Sequence, residues 1–240
     1  GMLTFMAEHR KFLEQGPRRV SPHFIPMMIA NMAAGAVAIR FGAMGPCLPV
    51  VTACATASHA IGEAFRAIRY GHADAILAGG TEAALNPLTL AGFTNCMALS
   101  TKNKPLASSI PFDKRRDGFV LGEGAGMLLL EEYGSAQARG AHIYAEITGY
   151  GNTCDAYHVT APHPEAAAAS QAIRLAVEEA GIGEEDAPGL YINAHGTGTP
   201  LNDAAETLAI KLALGQGAYK VLISSTKSMT GHMLGAAGAA

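Results

Sequence analysis

The sequence carries little net charge. Its 17 Lys and Arg against 20 Asp and Glu leave a formal charge of −3, too near neutrality for bulk attraction to nucleic acid or to an anionic membrane. A membrane-length apolar run is also missing: the longest candidate, Met27 to Ile39, is interrupted by Asn31 and falls short of the roughly 20 residues a bilayer requires. No secretory signal pattern opens the chain. The four cysteines, Cys47, Cys54, Cys96 and Cys154, form no CxxC pair and no zinc-ligand spacing, which argues against a disulfide framework and suits a reducing compartment. The nine histidines include no i,i+4 pair, so a metal site is not expected. Gly122-Glu123-Gly124-Ala125-Gly126 is not the dinucleotide fingerprint, and no Gly-Lys-Ser/Thr follows to make a phosphate loop. These glycines read as bends where backbones approach closely.

What is present is apolar and regular. Hydrophobic residues make up 49% of the 240, enough to bury a large core as one domain or as parts of two. Strand and helix signals alternate. A helix of small residues is expected from Pro26 to Gly42, then a strand from Leu48 to Thr52. A helix beginning at Cys54 follows, with Ile61, Phe65 and Ile68 at helical spacing and Gly71 as its stop. A buried strand runs from Ala73 to Gly79, and strand-like segments occupy Phe119 to Glu131. Next come strand Ile143 to Gly149, helix Glu165 to Ala180 closed by Gly181, and strand Leu190 to Ala194. Helix Pro200 to Leu214 follows, with Thr199 as N-cap and Pro200 at its first position. Strand Val221 to Ser224 leads to Lys227 and a final helix. This alternation predicts an α/β fold with largely buried sheets, divided near Ala141. The abrupt start at Gly1-Met2-Leu3 and the Gly/Ala helix left unfinished at Ala240 suggest a fragment.

Three strand-end positions carry the chemistry. Cys54 follows Thr52-Ala53 at a helix start, where unpaired backbone N–H groups and a partial positive charge favour the thiolate. His195 lies in Asn193-Ala194-His195-Gly196-Thr197-Gly198-Thr199-Pro200, and His232 in Lys227-Ser228-Met229-Thr230-Gly231-His232. Each alone has an ordinary explanation, since a free cysteine packs as a small hydrophobe and a histidine at a strand end can be structural. Together they suggest covalent acyl chemistry. His59, five residues into the Cys54 helix, reads as a packing histidine. Asp203 and Glu206, on the first turn after His195, are either ordinary N-terminal helix acids or partners for a buried cation such as Lys227.

On these residues the chain resembles the β-ketoacyl-acyl carrier protein synthases of the thiolase superfamily, of the elongating synthase II type. The resemblance extends over essentially all 240 residues. Its most specific blocks are Thr52-Ala53-Cys54 with Ser58 to Ala64, Pro111-Phe112-Asp113 through Gly126, Asn193 to Thr197, and Ser224 to His232. It implies a thiolase-like layered α/β/α/β/α sandwich, here a fragment truncated at both ends. Residues 1–141 would belong to an N-terminal half carrying the nucleophile, and residues 142–240 to a C-terminal half carrying the two histidines. By position, Cys54 resembles the acyl-accepting nucleophile, His195 and His232 the pair that manages malonyl decarboxylation, and Lys227 the buried active-site lysine. Thr197 and Thr199 match threonines that hydrogen-bond the pantetheine arm, Phe93 a residue near the acyl pocket, and Arg18 and Arg19 a basic pair that meets the acidic carrier protein.

The implied reaction is a decarboxylative Claisen condensation that needs no metal or redox cofactor. Its implied partners are acyl- and malonyl-carrier protein and a second copy of the chain, paired through the strand before the nucleophile. Neither nucleic acid nor membrane insertion is implied, and the compartment would be the cytoplasm, or an organelle in a eukaryote. The family's first strands, its C-terminal Gly-Phe-Gly loop and a glutamate just past Ala240 are not in the chain, so full activity is expected only with them. Four positions depart from the family pattern. Met97 stands where a carrier-docking arginine is usual, Asn202 replaces a glycine, Gly198 gives a form also common in polyketide ketosynthases, and Cys47 replaces a serine. A polyketide ketosynthase and a non-catalytic chain-length-factor-like subunit are the alternatives, although such subunits replace the cysteine retained here. A biosynthetic thiolase would need a second catalytic cysteine, and a cysteine hydrolase would release free acid without consuming malonyl groups.

Overall fold

Helix formers and glycine stops divide the chain into nine helices and four strands in the computed structural model, which describes residues 1–240. In chain order these are α1 (Met2–Gln15), α2 (Phe24–Met28), α3 (Met32–Phe41), α4 (Thr56–Arg69), β1 (Ala75–Glu82), α5 (Pro87–Asn95) and β2 (Gly124–Glu131). They continue with α6 (Tyr133–Ala138), α7 (Ala167–Glu179), β3 (Tyr191–Asn193), α8 (Pro200–Leu214), β4 (Leu222–Ser224) and α9 (Lys227–Thr230). Two compact units result. The first is Gly1–Leu90, Gly122–Leu130 and Met233–Ala240; the second is Ala91–Leu121 and Glu131–His232. No helix is long and apolar enough to cross a membrane.

The core of the first unit is built from small residues. β1 pairs with β2, and the pairing is close because glycines leave room. A Cβ on Gly79 would collide with the Gly126 carbonyl, one on Gly80 with the Gly235 carbonyl, and one on Gly126 with the Ala239 carbonyl. The 3-10 turn Leu234–Ala239 thereby lies directly on the β1–β2 pair. Ala57, Ala64, Ala78 and Ala236 are buried. The expected α4 stripe of Ile61, Phe65 and Ile68 is only half-buried, and the small residues Ala57, Gly62 and Ala64 form the innermost face.

Several expectations need correction in this unit. The helix expected from Pro26 to Gly42 is two helices, parted by Ile29 in an extended conformation (φ −67°, ψ 144°) two residues before Asn31. Asn competes for its own backbone and is a weak helix interior residue, and here it serves as the N-cap position of α3. Gly42 ends α3 in the left-handed region (φ 64°), as a stop residue should. Leu48 to Thr52 does not form a strand: no strand lies beside it to complete a ladder, and the Thr52 N–H donates instead to Thr56 Oγ1 at 2.9 Å. β1 runs through Gly79 and Gly80 to Glu82 rather than closing at Gly79, because those glycines let neighbouring backbone pack against the strand.

In the second unit β3 and β4 are parallel, with Tyr191 opposite Leu222, Ile192 opposite Ile223 and Asn193 opposite Ser224. α7 and α8 are joined by Arg174 Nη2, which donates to the Leu212 carbonyl at 3.0 Å. Ile143 to Gly149 forms no strand, since no ladder partner runs beside it. Its end packs against α7, where a Cβ on Gly149 or Gly151 would strike the carbonyls of Ala176 and Ala172. α7 starts at Ala167 rather than Glu165 because Ala166 is left-handed (φ 52°). α8 has the expected bounds. The expected final helix is instead the four-residue α9, broken by Gly231 (φ 70°), and the 3-10 turn Leu234–Ala239 of the first unit. The sheets are not largely buried: every residue of β4 is exposed, because each sheet is only two strands wide.

Candidate active site

In the first unit, Cys54 occupies the middle of the 3-10 turn Ala53–Ala55 that feeds α4, one residue before the N-cap Ala55. It is half-buried, whereas Cys47, Cys96 and Cys154 are exposed. Ala53 has φ 51°, a left-handed conformation that costs a non-glycine residue about 1–3 kcal/mol and persists only where the surroundings over-determine it. Here the thiol enters the helix from an irregular segment rather than from a strand. Arg18 and Arg19 also belong to this unit, both exposed in the 3-10 turn Pro17–Arg19, with Arg19 Nε donating to Gln15 Oε1 at 3.4 Å.

In the second unit, β3 and β4 deliver two histidine-bearing loops side by side. The Ala194 N–H donates to the Ser224 carbonyl at 2.7 Å, just before His195. The His232 N–H donates to the Val120 carbonyl at 2.7 Å. The two imidazoles meet edge to face, with ring centres 5.3 Å apart and planes at 85°. His232 is 1% exposed and Lys227 6%; His195 is half-buried. Burial pushes His195 down from 6.5 to about 4, with the Lys227 cation acting in the same direction and Asp203 opposing. Burial, then His195, then Lys227 push His232 down to about 3. Both rings are therefore neutral at physiological pH, and each offers one N–H donor and one lone pair.

An aromatic column backs this pair. Phe119 meets the His232 ring edge-on at 5.0 Å, and Phe93 meets Phe119 at 5.3 Å. Phe93 is thus one ring removed from the imidazoles, and Phe119, given no site role by the sequence, is the link. Thr197 is buried, and its hydroxyl shares a 2.8 Å hydrogen bond with that of Thr199. Thr199 does occupy the N-cap position of α8, but its side chain makes no cap bond because it is engaged with Thr197. Met97 is 88% exposed and left-handed (φ 54°).

Two acids of α8, Asp203 buried and Glu206 half-buried, hold the His195 loop. Glu206 accepts the N–H groups of His195 at 2.6 Å and Gly196 at 2.7 Å. Asp203 accepts Gly198 N–H at 3.1 Å and Phe112 N–H at 2.7 Å. Burial raises the Glu206 carboxyl, while those two backbone donors pull the other way. Arg116 is the cation beside Asp203, 3.5 Å away, and donates to the carbonyls of Thr199 at 3.4 Å and Pro200 at 2.9 Å. Asp203 thus partners a cation, Arg116, and both acids organise backbone. Asn202 is helical rather than at positive φ, and its amide donates to Asp203 at 3.2 Å and Glu206 at 3.3 Å. Gly196 (φ 38°) is obligatory here, since a Cβ would lie 2.6 Å from that of Ser225. The i,i+3 spacing of Asp203 and Glu206 was visible in the sequence; the part of Arg116 was not.

Comparison with known proteins agrees with this arrangement. Residues 2–136 match the family model of the β-ketoacyl synthase N-terminal domain, and residues 144–240 that of the C-terminal domain. The chain is 58% identical over 239 residues to a 3-oxoacyl-[acyl-carrier-protein] synthase 2 of Synechocystis sp., covering 99% of this chain and 57% of that protein. It is 53% identical over 238 residues to the protein of the same name from Staphylococcus aureus, covering 99% of this chain and 59% of that one. The chain therefore spans somewhat more than half the length of the curated relatives it matches. Among solved structures, a type II polyketide acyl-carrier protein in complex with its ketosynthase bound to the hexaketide matches with a TM-score of 0.90 and 40% identity, over 98% of this chain and 59% of that one. The fold is the thiolase-like fold of ketosynthases, and the chain belongs to the β-ketoacyl synthase family.

Proposed function

We propose that this protein acts as a 3-oxoacyl-[acyl-carrier-protein] synthase, condensing malonyl-carrier protein with an enzyme-bound acyl group in fatty acid chain elongation. The observation that carries the reading is the edge-to-face His195–His232 pair, held neutral by burial and by Lys227. Neutral imidazoles can donate to a developing enolate oxygen without being acids strong enough to quench it. In the first step the Cys54 thiolate attacks the acyl thioester carbonyl, the carrier's thiol leaves with a proton, and an acyl-Cys54 remains. In the second, the malonyl thioester loses carbon dioxide, and the electron pair of the broken bond becomes an enolate whose oxygen accepts from the His195 and His232 N–H groups. The enolate carbon attacks the acyl-Cys54 carbonyl, and the Cys54 thiolate departs to yield the 3-oxoacyl product.

The remaining roles follow the same reading. Lys227 adds to burial in keeping both imidazoles unprotonated. Thr197 and Thr199 offer hydroxyls to the pantetheine arm, and Phe93 borders the acyl chain. Arg18 and Arg19, exposed and basic, meet the acidic carrier protein, with Met97 replacing a charged contact by an apolar one. We also propose a homodimer, supported by the bare apolar segment around Met44 and Leu48, which are 98% and 80% exposed. A division into halves 1–141 and 142–240 is supported by the two family models, which leave only residues 137–143 between them. Four free cysteines fit a reducing compartment, the cytoplasm or a eukaryotic organelle.

Intact-protein mass spectrometry after incubation with acyl-carrier proteins of graded chain length tests the reading. An acyl adduct on Cys54 that malonyl-carrier protein discharges as a two-carbon-longer product is expected. Release of free acid without consumption of malonyl groups would make it a hydrolase. Gly198 and the likeness to a polyketide ketosynthase structure favour one second reading, polyketide condensation, which repeated extension without reduction between rounds would reveal.

A further inference from the structure

We propose that His59 is a positioning residue for the Cys54 thiol, acting through Thr52 on the left-handed turn at Ala53. The inference rests on the reading of Cys54 as the acylated group, and goes beyond it in naming what aims that group. Ala53 separates Thr52 from Cys54 and holds φ 51°. Rotating it toward the ordinary region would swing the Cys54 Cα–Cβ bond, so whatever pins Ala53 also directs the sulfur.

Residues of α4 and its N-cap Ala55 supply the pins. The Thr56 hydroxyl accepts the Thr52 N–H at 2.9 Å and donates to the Ala53 carbonyl at 2.8 Å. The Ala55 N–H donates to the Thr52 carbonyl at 3.1 Å. The fourth bond comes from His59: its Nδ1 and the Thr52 hydroxyl share a hydrogen bond of 2.8 Å. The spacing explains why it reaches. Thr56 and His59 are i and i+3 on one helix face, and helical side chains lean toward the N-terminus, over the turn that carries the thiol. His59 is therefore not the packing histidine its position suggests. It is half-buried and makes a directed polar contact two residues before the nucleophile. Behind the turn, a Cβ on Gly235 would stand 3.7 Å from the Ala53 carbonyl, so the turn is backed on that side too. The Thr56 bonds fix the backbone of Thr52. Only His59 is seen to fix its side chain, and with it the entry into the turn.

The test is the rate at which limiting iodoacetamide labels each cysteine of the whole protein, read by peptide mass mapping. In the wild type Cys54 labels fastest. His59→Leu should slow Cys54 by about tenfold, as misplacement of a reacting group does, and leave Cys47, Cys96 and Cys154 unchanged. His59→Asn, whose amide can occupy the Nδ1 position, should restore the rate to within about twofold. Thr52→Val should reproduce His59→Leu, and the double variant should be no slower than the slower single by more than about twofold, because both remove one bond. Thr52→Val also carries the test if His59→Leu lowers the melting temperature. Cys54 fastest in the wild type but unslowed in both single variants would overturn the proposal alone. Equal slowing of all four thiols, or additive effects in the double variant, would also overturn it. A wild type in which Cys54 is not the fastest thiol would remove both the nucleophile reading and the inference built on it.

Discussion

Two imidazoles and an ammonium group in one buried cluster compete for the same scarce solvation, and the imidazoles yield. The unfolded chain protonates each histidine near 6.5, whereas the folded chain does so only at about 4 for His195 and about 3 for His232. Between those values the unfolded state binds more protons, so stability rises with pH across that window. This contribution is complete above about 6.5 and is lost as pH falls toward 4 and then 3. Melting temperature against pH should therefore slope upward between pH 5 and 6.5, and His232→Gln should flatten the slope. Malonyl decarboxylation should show no histidine-type inflection between pH 5.5 and 8; a fall in rate centred near 6.5 would mean that the rings ionise normally. His195→Ala and His232→Ala should each cut decarboxylation by ~10²-fold or more while sparing acyl transfer to Cys54. Glu206→Gln, which leaves one of two loop N–H groups facing an amide donor, should cost ~1–3 kcal/mol of stability, measurable by denaturant titration.

At the scale of elements, close backbone approach decides what can change. Gly126→Ala should destabilise by about 1–3 kcal/mol or more, because its Cβ would enter the Ala239 carbonyl; Gly140→Ala, with nothing near it, should be limited to the cost of its positive φ. Gly124 and Gly126 of β2 were legible as close approaches, and Gly42, Gly71 and Gly181 as helix stops, because each rests on local chemistry; Gly79 and Gly80 of β1 read instead as a strand end. α8 was legible to both ends, since Pro200 opens it and Gly215 closes it. The two missed strands, Leu48 to Thr52 and Ile143 to Gly149, have the right apolar patterns, but a strand exists only through a partner, which its own residues do not specify. The site divides in the same way. Cys54, His195 and His232 stand at element ends with distinctive neighbours. Phe119 and Arg116 contribute through contacts across 113 and 87 positions of sequence, from Phe119 to His232 and from Arg116 to Asp203, which no local pattern encodes.

For the molecule as a whole, the apolar segment from Ile39 to Val51 is the feature most at odds with a solitary chain, with Ile39, Phe41, Met44, Leu48 and Val51 all exposed. Sedimentation at micromolar concentration should give a dimer, and Leu48→Asp should shift it toward monomer; a monomeric wild type would contradict the proposed assembly. The chain also passes between its two compact units four times, and the first unit takes its last piece from Met233–Ala240. That 3-10 turn closes over Gly80 and Gly126 and sends the Gly235 N–H to Glu82 at 3.4 Å. The unit that holds the thiol thus draws on segments from before and after the whole of the second unit's sequence. Until Met233–Ala240 docks, the glycine face of β1 stays open to water, and the turn at Ala53 lacks the backing of Gly235. A chain cut after His232 should thus keep its two histidines in order while the turn that carries its cysteine loses the segment packed behind it.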